Sequence, residues 1–149
     1  MFQRLIEMFT APAVAPPGGE DGIELAVAAL LIEAARSDDQ FGTGERSTIR
    51  SLLARRFDLT GPETDRLLAA AADAQDRSVG LYRHIRRITD GYDAPGRVGV
   101  IEMLWEVAYA DRRLDPEEDA LIRRIAGLIH VSDPERGAAR QRVLARRGA

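Results

Sequence analysis

The sequence predicts an all-α bundle of about seven helices with an internal pseudo-twofold repeat, preceded by a short N-terminal amphipathic helix. Three observations carry this expectation. Apolar residues recur at the three-to-four spacing of a helix face through most of the chain, and no stretch shows the β-branched, period-two alternation of strands. Capping signals mark helix starts: Thr60 with Glu63 and Ser132 with Glu135, each with an early proline, and Asp115-Pro116-Glu117-Glu118. The segment Leu31 to Leu53 returns 73 positions later as Leu104 to Ala126, with Leu, Glu, Ala, Asp, Glu, Ile and Arg in register.

Taken in order, Phe2, Leu5, Ile6 and Phe9 fall at i, i+3, i+4 and i+7, so residues 1–10 read as a short amphipathic helix. Residues 11–22 carry Pro12, Pro16, Pro17, Gly18 and Gly19 and read as a linker. A helix of about ten residues is marginal alone in water. It must dock on its own domain, on an oligomer partner or at the surface of the inner membrane, the last disfavoured by a single basic residue, Arg4.

The helical domain spans residues 23–149. Its first helix, Ile23 to about Ser37, is apolar on more than one side and is expected to be central; Pro95 to Ala110, with Trp105, is its repeat equivalent. The helix capped by Thr43 carries Ile49, Leu52, Leu53 and Phe57, and its equivalent carries Leu121, Ile122, Ile125 and Leu128. Two helices link the copies: an Ala-rich one from Pro62 to about Gln75, and one from about Ser78 to Asp90 with Leu81, Tyr82, Ile85 and Ile88 inward. The last begins at Pro134, with Val143 and Leu144 as its main anchors.

A chain of 149 residues suits one domain, burying roughly 70% of its unfolded surface. It has no cysteine, which excludes disulfides and thiolate chemistry. No apolar run approaches the roughly 20 residues of a membrane span, and Gln3, Arg4 and Glu7 interrupt any leader-like segment, so a soluble cytoplasmic protein is expected. The net charge of −3 weighs against nucleic acid. Every basic residue is arginine, as a GC-rich coding bias would produce. Arg136, Arg140, Arg142, Arg146 and Arg147 make the last helix locally positive, without interleaved aromatics that would favour single-strand binding.

Catalytic motifs are missing. No glycine-rich phosphate loop or nucleophile elbow occurs, and His84 and His130 are far apart with no metal-type pairing. Glu33 and Glu106 occupy matching repeat positions, yet neither has the histidine three residues on that a di-iron site needs. They are expected to bond arginines such as Arg50 and Arg123. What stands out is a pair of acidic corners, where an apolar helix runs into an aspartate and the chain re-enters a helix at a glutamate. The second corner offers Asp111, Asp115 and Glu118; the first offers Asp38, Asp39 and Glu45. Carboxylates converging at a turn suit a hard divalent cation, Ca²⁺ or Mg²⁺, although neither corner has the EF-hand pattern. The competing reading is structural: Asp115 as N-cap, Glu117 and Glu118 complementing the helix dipole, Asp38 and Asp111 bonding the connection's backbone.

Leu30-Leu31-Ile32-Glu33-Ala34-Ala35-Arg36, Phe41, Glu45, Leu81-Tyr82, the run from Ile101 through Asp111, Glu118, Leu121 to Arg124, and Val131-Ser132 together resemble the tellurite-resistance TerB family, over roughly Ile23 to Leu144. The resemblance implies a helical bundle of about seven helices and a role in bacterial resistance to tellurite and related stresses, without catalysis. It also implies acidic residues that bind metal, and stress-response and membrane proteins as partners. Family members commonly carry Gly after the repeat aspartate, where this chain has Asp39 and Arg112, and an acidic residue before Leu-Tyr, where it has Gly80. A guanidinium beside the second cluster competes with a cation for it. The expected function is thus a cytoplasmic, non-enzymatic stress-response module whose acidic corners bind a divalent cation or a cationic partner. The alternative is a generic helical adaptor with structural turns and a contact surface around Tyr82, Tyr92 and Tyr109.

Overall fold

The computed structural model describes residues 20–36, 43–76, 81–110 and 116–148. The expected N-terminal helix and most of its linker lie outside them. Among the described residues there are seven helices and no strand: α1 Glu20–Arg36, α2 Thr43–Phe57, α3 Gly61–Asp76, α4 Leu81–Gly91, α5 Ala94–Ala108, α6 Pro116–Leu128 and α7 Asp133–Arg146. The all-α bundle is as the sequence predicts. Helix α1 begins three residues before Ile23, at Glu20.

Helix α1 is the axis of the bundle. Ala26 through Ile32, with Ala34 and Ala35, are all buried, so the helix is covered on every side. Its alanines let α3 and α4 lie close, and it also meets α2, α5 and α6. Helix α5 is the second buried element, with Val100, Ile101, Met103, Leu104, Trp105, Val107 and Ala108 in the core. It packs on α1 and carries α7 on its other side. The outer helices show the single stripes their sequences imply: Ile49, Leu52, Leu53 and Phe57 on α2, Thr64, Leu67 and Ala71 on α3, Ile122, Ile125 and Ala126 on α6, Ala139 and Val143 on α7.

Helix ends are fixed by local hydrogen bonds. The Thr60–Glu63 box closes with Thr60 N–H on Glu63 Oε1 at 2.8 Å and Glu63 N–H on Thr60 Oγ1 at 3.3 Å. Ser132 and Glu135 repeat it, with Glu135 N–H on Ser132 Oγ at 3.2 Å. The backbone N–H and then the hydroxyl of Ser132 hold the Glu135 carboxyl below the ordinary carboxylate range. Just before these boxes, α2 and α6 end alike. Asp58 (φ 54°) and His130 (φ 64°) take the left-handed conformation, and Leu59 N–H and Val131 N–H bond back to Ala54 O at 2.9 Å and Ala126 O at 2.8 Å. These two corners lie one residue closer in sequence than the 73-residue offset of the sequence repeat, and α6 is shorter than α2. Asp93 caps α5 by accepting from Gly96 N–H at 3.0 Å, and Arg97 reaches back to the end of α4, donating to Tyr92 O at 2.6 Å.

Helix α4 corrects one expectation. Its buried stripe is His84, Ile85 and Ile88, whereas Tyr82, expected inward, is 71% exposed, being turned to the flank of that stripe. His84 is 6% exposed, and its buried Nε2 makes no hydrogen bond among the described residues. Burial holds its pKa below the ordinary value, and the charges of Arg83 and Arg87 add to the shift.

The unfolded chain therefore takes up this proton at about pH 6.5, while the folded protein does so only at lower pH. Stability associated with His84 is complete above that pH and declines as pH falls from it through the lowered folded value. Urea melts between about pH 7.5 and 5.5 should show an acid-side loss in the wild type that is smaller in His84→Met. Equal pH slopes for the two proteins would assign the loss to other groups.

Candidate functional site

Of the residues expected to form the acidic corners, Asp38, Asp39, Asp111 and Asp115 lie outside the described residues, as does the side chain of Glu45. Glu118 is described, and its position is unlike that of an ordinary first-turn acid. Helix α6 opens on Glu117, Glu118 and Asp119, all placed to complement the positive end of the helix dipole, but Glu118 alone among them is buried, at 2% exposure. A carboxylate is taken out of water only where polar groups receive it, and both Glu117 and Glu118 are engaged by neighbours.

Next to it, α1 and α6 frame an open depression of about 420 Å³ lined by Glu33, Glu117, Ala120, Leu121 and Arg124. Residues 117, 120, 121 and 124 follow i, i+3, i+4 and i+7 and make one face of α6. Glu33 faces them from α1, five residues before Asp38. The depression therefore presents two carboxylates and one guanidinium over a small apolar floor. Such a lining suits a cation or a cationic side chain better than an anion. Among the described residues, no group of three or more histidines and acids is arranged to hold a metal ion.

The remaining charged residues settle elsewhere. Arg50, expected to meet Glu33, instead donates from Nε to Asp65 at 2.8 Å and joins α2 to α3. Arg123 lies 3.8 Å from Asp119, one turn back on its own helix. Glu106 does bond arginines, but they are Arg146 at 3.2 Å and Arg147 at 3.7 Å, and Glu102 beside it takes Arg142 at 2.9 Å and Arg146 at 3.0 Å. Glu33 and Glu106 consequently occupy different surroundings.

The arginines of α7 form a clamp on α5. Arg140 donates to the Tyr109 hydroxyl at 2.6 Å and lies over the Trp105 ring at 5.6 Å and the Tyr109 ring at 5.9 Å, while Trp105 Nε1 donates to Arg136 O at 3.2 Å. These part-buried contacts fix the orientation of α7 on α5. No sequence signal pointed to this role of Arg140, because Tyr109 lies 31 positions away. Of the three tyrosines singled out as a contact surface, Tyr109 is buried and Tyr92 is half-buried under Arg56, leaving Tyr82 exposed.

Comparison with known proteins gives one match: a family model described as "Tellurite resistance protein TerB" covers residues 24–141, which is α1 through most of α7. No curated protein and no solved structure matches the chain. Among the described residues, no helix is long and apolar enough to cross a membrane.

Proposed function

The chain belongs to the tellurite resistance protein TerB family, and on that premise we propose that it works as a non-enzymatic module of a tellurite, metalloid or envelope stress response. Its acidic corners bind a divalent cation or dock a cationic partner protein. The observation that supports this reading is the depression between α1 and α6, where Glu33 and Glu117 line open space and Glu117 follows Asp115 by two positions in sequence. Carboxylate and carbonyl oxygens at such a turn are the donors Ca²⁺ and Mg²⁺ require. Asp38, Asp39 and Glu45 form the second, poorer set, with Gly42 where the second corner has Asp115.

Calorimetric titration of Ca²⁺, Mg²⁺ and Mn²⁺ into the wild type, Asp111→Asn and Arg112→Gly tests the cation reading. Asparagine keeps the shape and one acceptor oxygen of aspartate, so a turn survives while affinity falls, by roughly tenfold for the loss of one ligand charge. Arg112→Gly should strengthen binding by removing a nearby positive charge. If neither the wild type nor Arg112→Gly gives heat or a thermal shift at millimolar cation, the acids are caps and turns. The helical adaptor reading then replaces this one, and the exposure of Tyr82 is the observation that favours it.

A further inference from the structure

A second depression, of about 460 Å³, is lined by Tyr82, Ile85, Arg86, Thr89 and Asp90 of α4 with Leu128 at the end of α6. Positions 82, 85, 86 and 89 follow i, i+3, i+4 and i+7, the face that another helix laid along α4 would cover. Its centre is apolar and its rims carry Arg86 and Asp90. Tyr82, the exposed large hydrophobic residue among those described, stands at one end.

We propose that this groove seats the chain's own N-terminal segment, Met1–Thr10, through Phe2, Leu5, Ile6 and Phe9. The start of α1 fixes where that segment is tethered. A Cβ on Gly91 would lie 2.4 Å from Ile23 Cδ1, and one on Gly22 would collide with the Arg87 guanidinium, so the first turns of α1 run directly against the second half of α4. The chain preceding Glu20 is thus attached at the second half of α4, on the side of Arg87 and Gly91, roughly 15 Å around the helix from the groove. Residues 11–19 reach at most about 30 Å when extended, against about 12 Å along α4 from Tyr82 to Asp90, so either direction of docking is within reach.

The lengths also match. The stripe from Phe2 to Phe9 rises about 10 Å as a helix, and so does the face from Tyr82 to Thr89. With those residues inward, Arg4 and Glu7 fall on the opposite side, toward water. Their charges cancel, which gives the segment little attraction to anionic lipid. A tether of this length supplies an effective concentration of roughly millimolar, well above that of a second copy in a dilute solution, so the segment fills its own groove first.

The chain has no cysteine, so Gln3→Cys accepts one nitroxide label on the flank of the stripe, and paramagnetic broadening of amide signals reads its neighbours in the full-length protein. Docking predicts that signals from Tyr82 to Asp90 and Leu128 lose most of their intensity, and recover in Leu5→Asp and in Tyr82→Ser, a surface change that leaves the core untouched. In a mixture of labelled chain with unlabelled, isotope-enriched chain, the intensity should stay complete. Full intensity in the labelled protein itself would overturn the proposal, as would loss confined to another surface or loss unaffected by Tyr82→Ser. Loss in the mixed sample would assign the groove to a second copy, and broadening that requires vesicles of anionic phospholipid would assign the segment to a membrane surface.

Discussion

Trp105→Ala is expected to lower unfolding stability by about 3 to 5 kcal/mol. The indole is 1% exposed and joins α5 to α7. It fills the space between α5 and α7, stacks on Tyr109 with ring centroids 6.1 Å apart, and carries the Arg140 guanidinium on its face. Truncation opens a cavity that helices locked in the bundle cannot close, and it leaves the Arg136 carbonyl without its indole donor. For a domain of this size the cost corresponds to a midpoint lower by on the order of 10 °C. Trp105→Phe, which keeps most of the apolar surface, should lie between. Denaturant and thermal melts of the three proteins decide: a Trp105→Ala protein that melts like the wild type would show that the α5–α7 contact contributes little to the folded state.

Leu30→Ala and Leu31→Ala should each cost about 2 to 5 kcal/mol. Adjacent residues on a helix point about 100° apart, so an ordinary surface helix tolerates change at one of two neighbours. Here both leucines are fully buried, because α1 touches α2, α3, α4, α5 and α6. Ser51→Ala on α2, beside buried Leu52 but itself exposed, should stay within about 0.5 kcal/mol and serves as the contrast. If one leucine of the pair proves as tolerant as Ser51, α1 has an open side and is not the axis of the bundle.

These two effects rest on features that were legible before any coordinates. The apolar density of residues 26–35 marks α1 as central, and the Trp105 segment marks α5 as its counterpart, because a helix covered on all sides cannot carry a polar face. The boxes at Thr60–Glu63 and Ser132–Glu135 form as their spacing requires, since a cap is made by residues three apart whatever surrounds them. The acidic corners were legible as a composition pattern, but four of their aspartates and the Glu45 side chain lie outside the described residues. The one carboxylate of that set that is described, Glu118, is buried, which an exposed helix start does not foretell.

By itself the sequence determined the helical class, the approximate helix bounds, the two core helices and the family, all of which depend on interactions between residues within one or two turns of each other or on local pattern. Only the tertiary structure decided which of 21 basic and 24 acidic residues meet. Arg146 reaches Glu102 across 44 positions, and Arg50 turns to Asp65 instead of Glu33. Charge attraction is long-ranged and indifferent to sequence order, so many pairings satisfy the same composition, and the packing of helices selects among them by bringing particular faces within reach. The same packing left Tyr82 in water and sealed Glu118 away from it, outcomes that no local spacing encodes because burial depends on what the rest of the fold places opposite a residue.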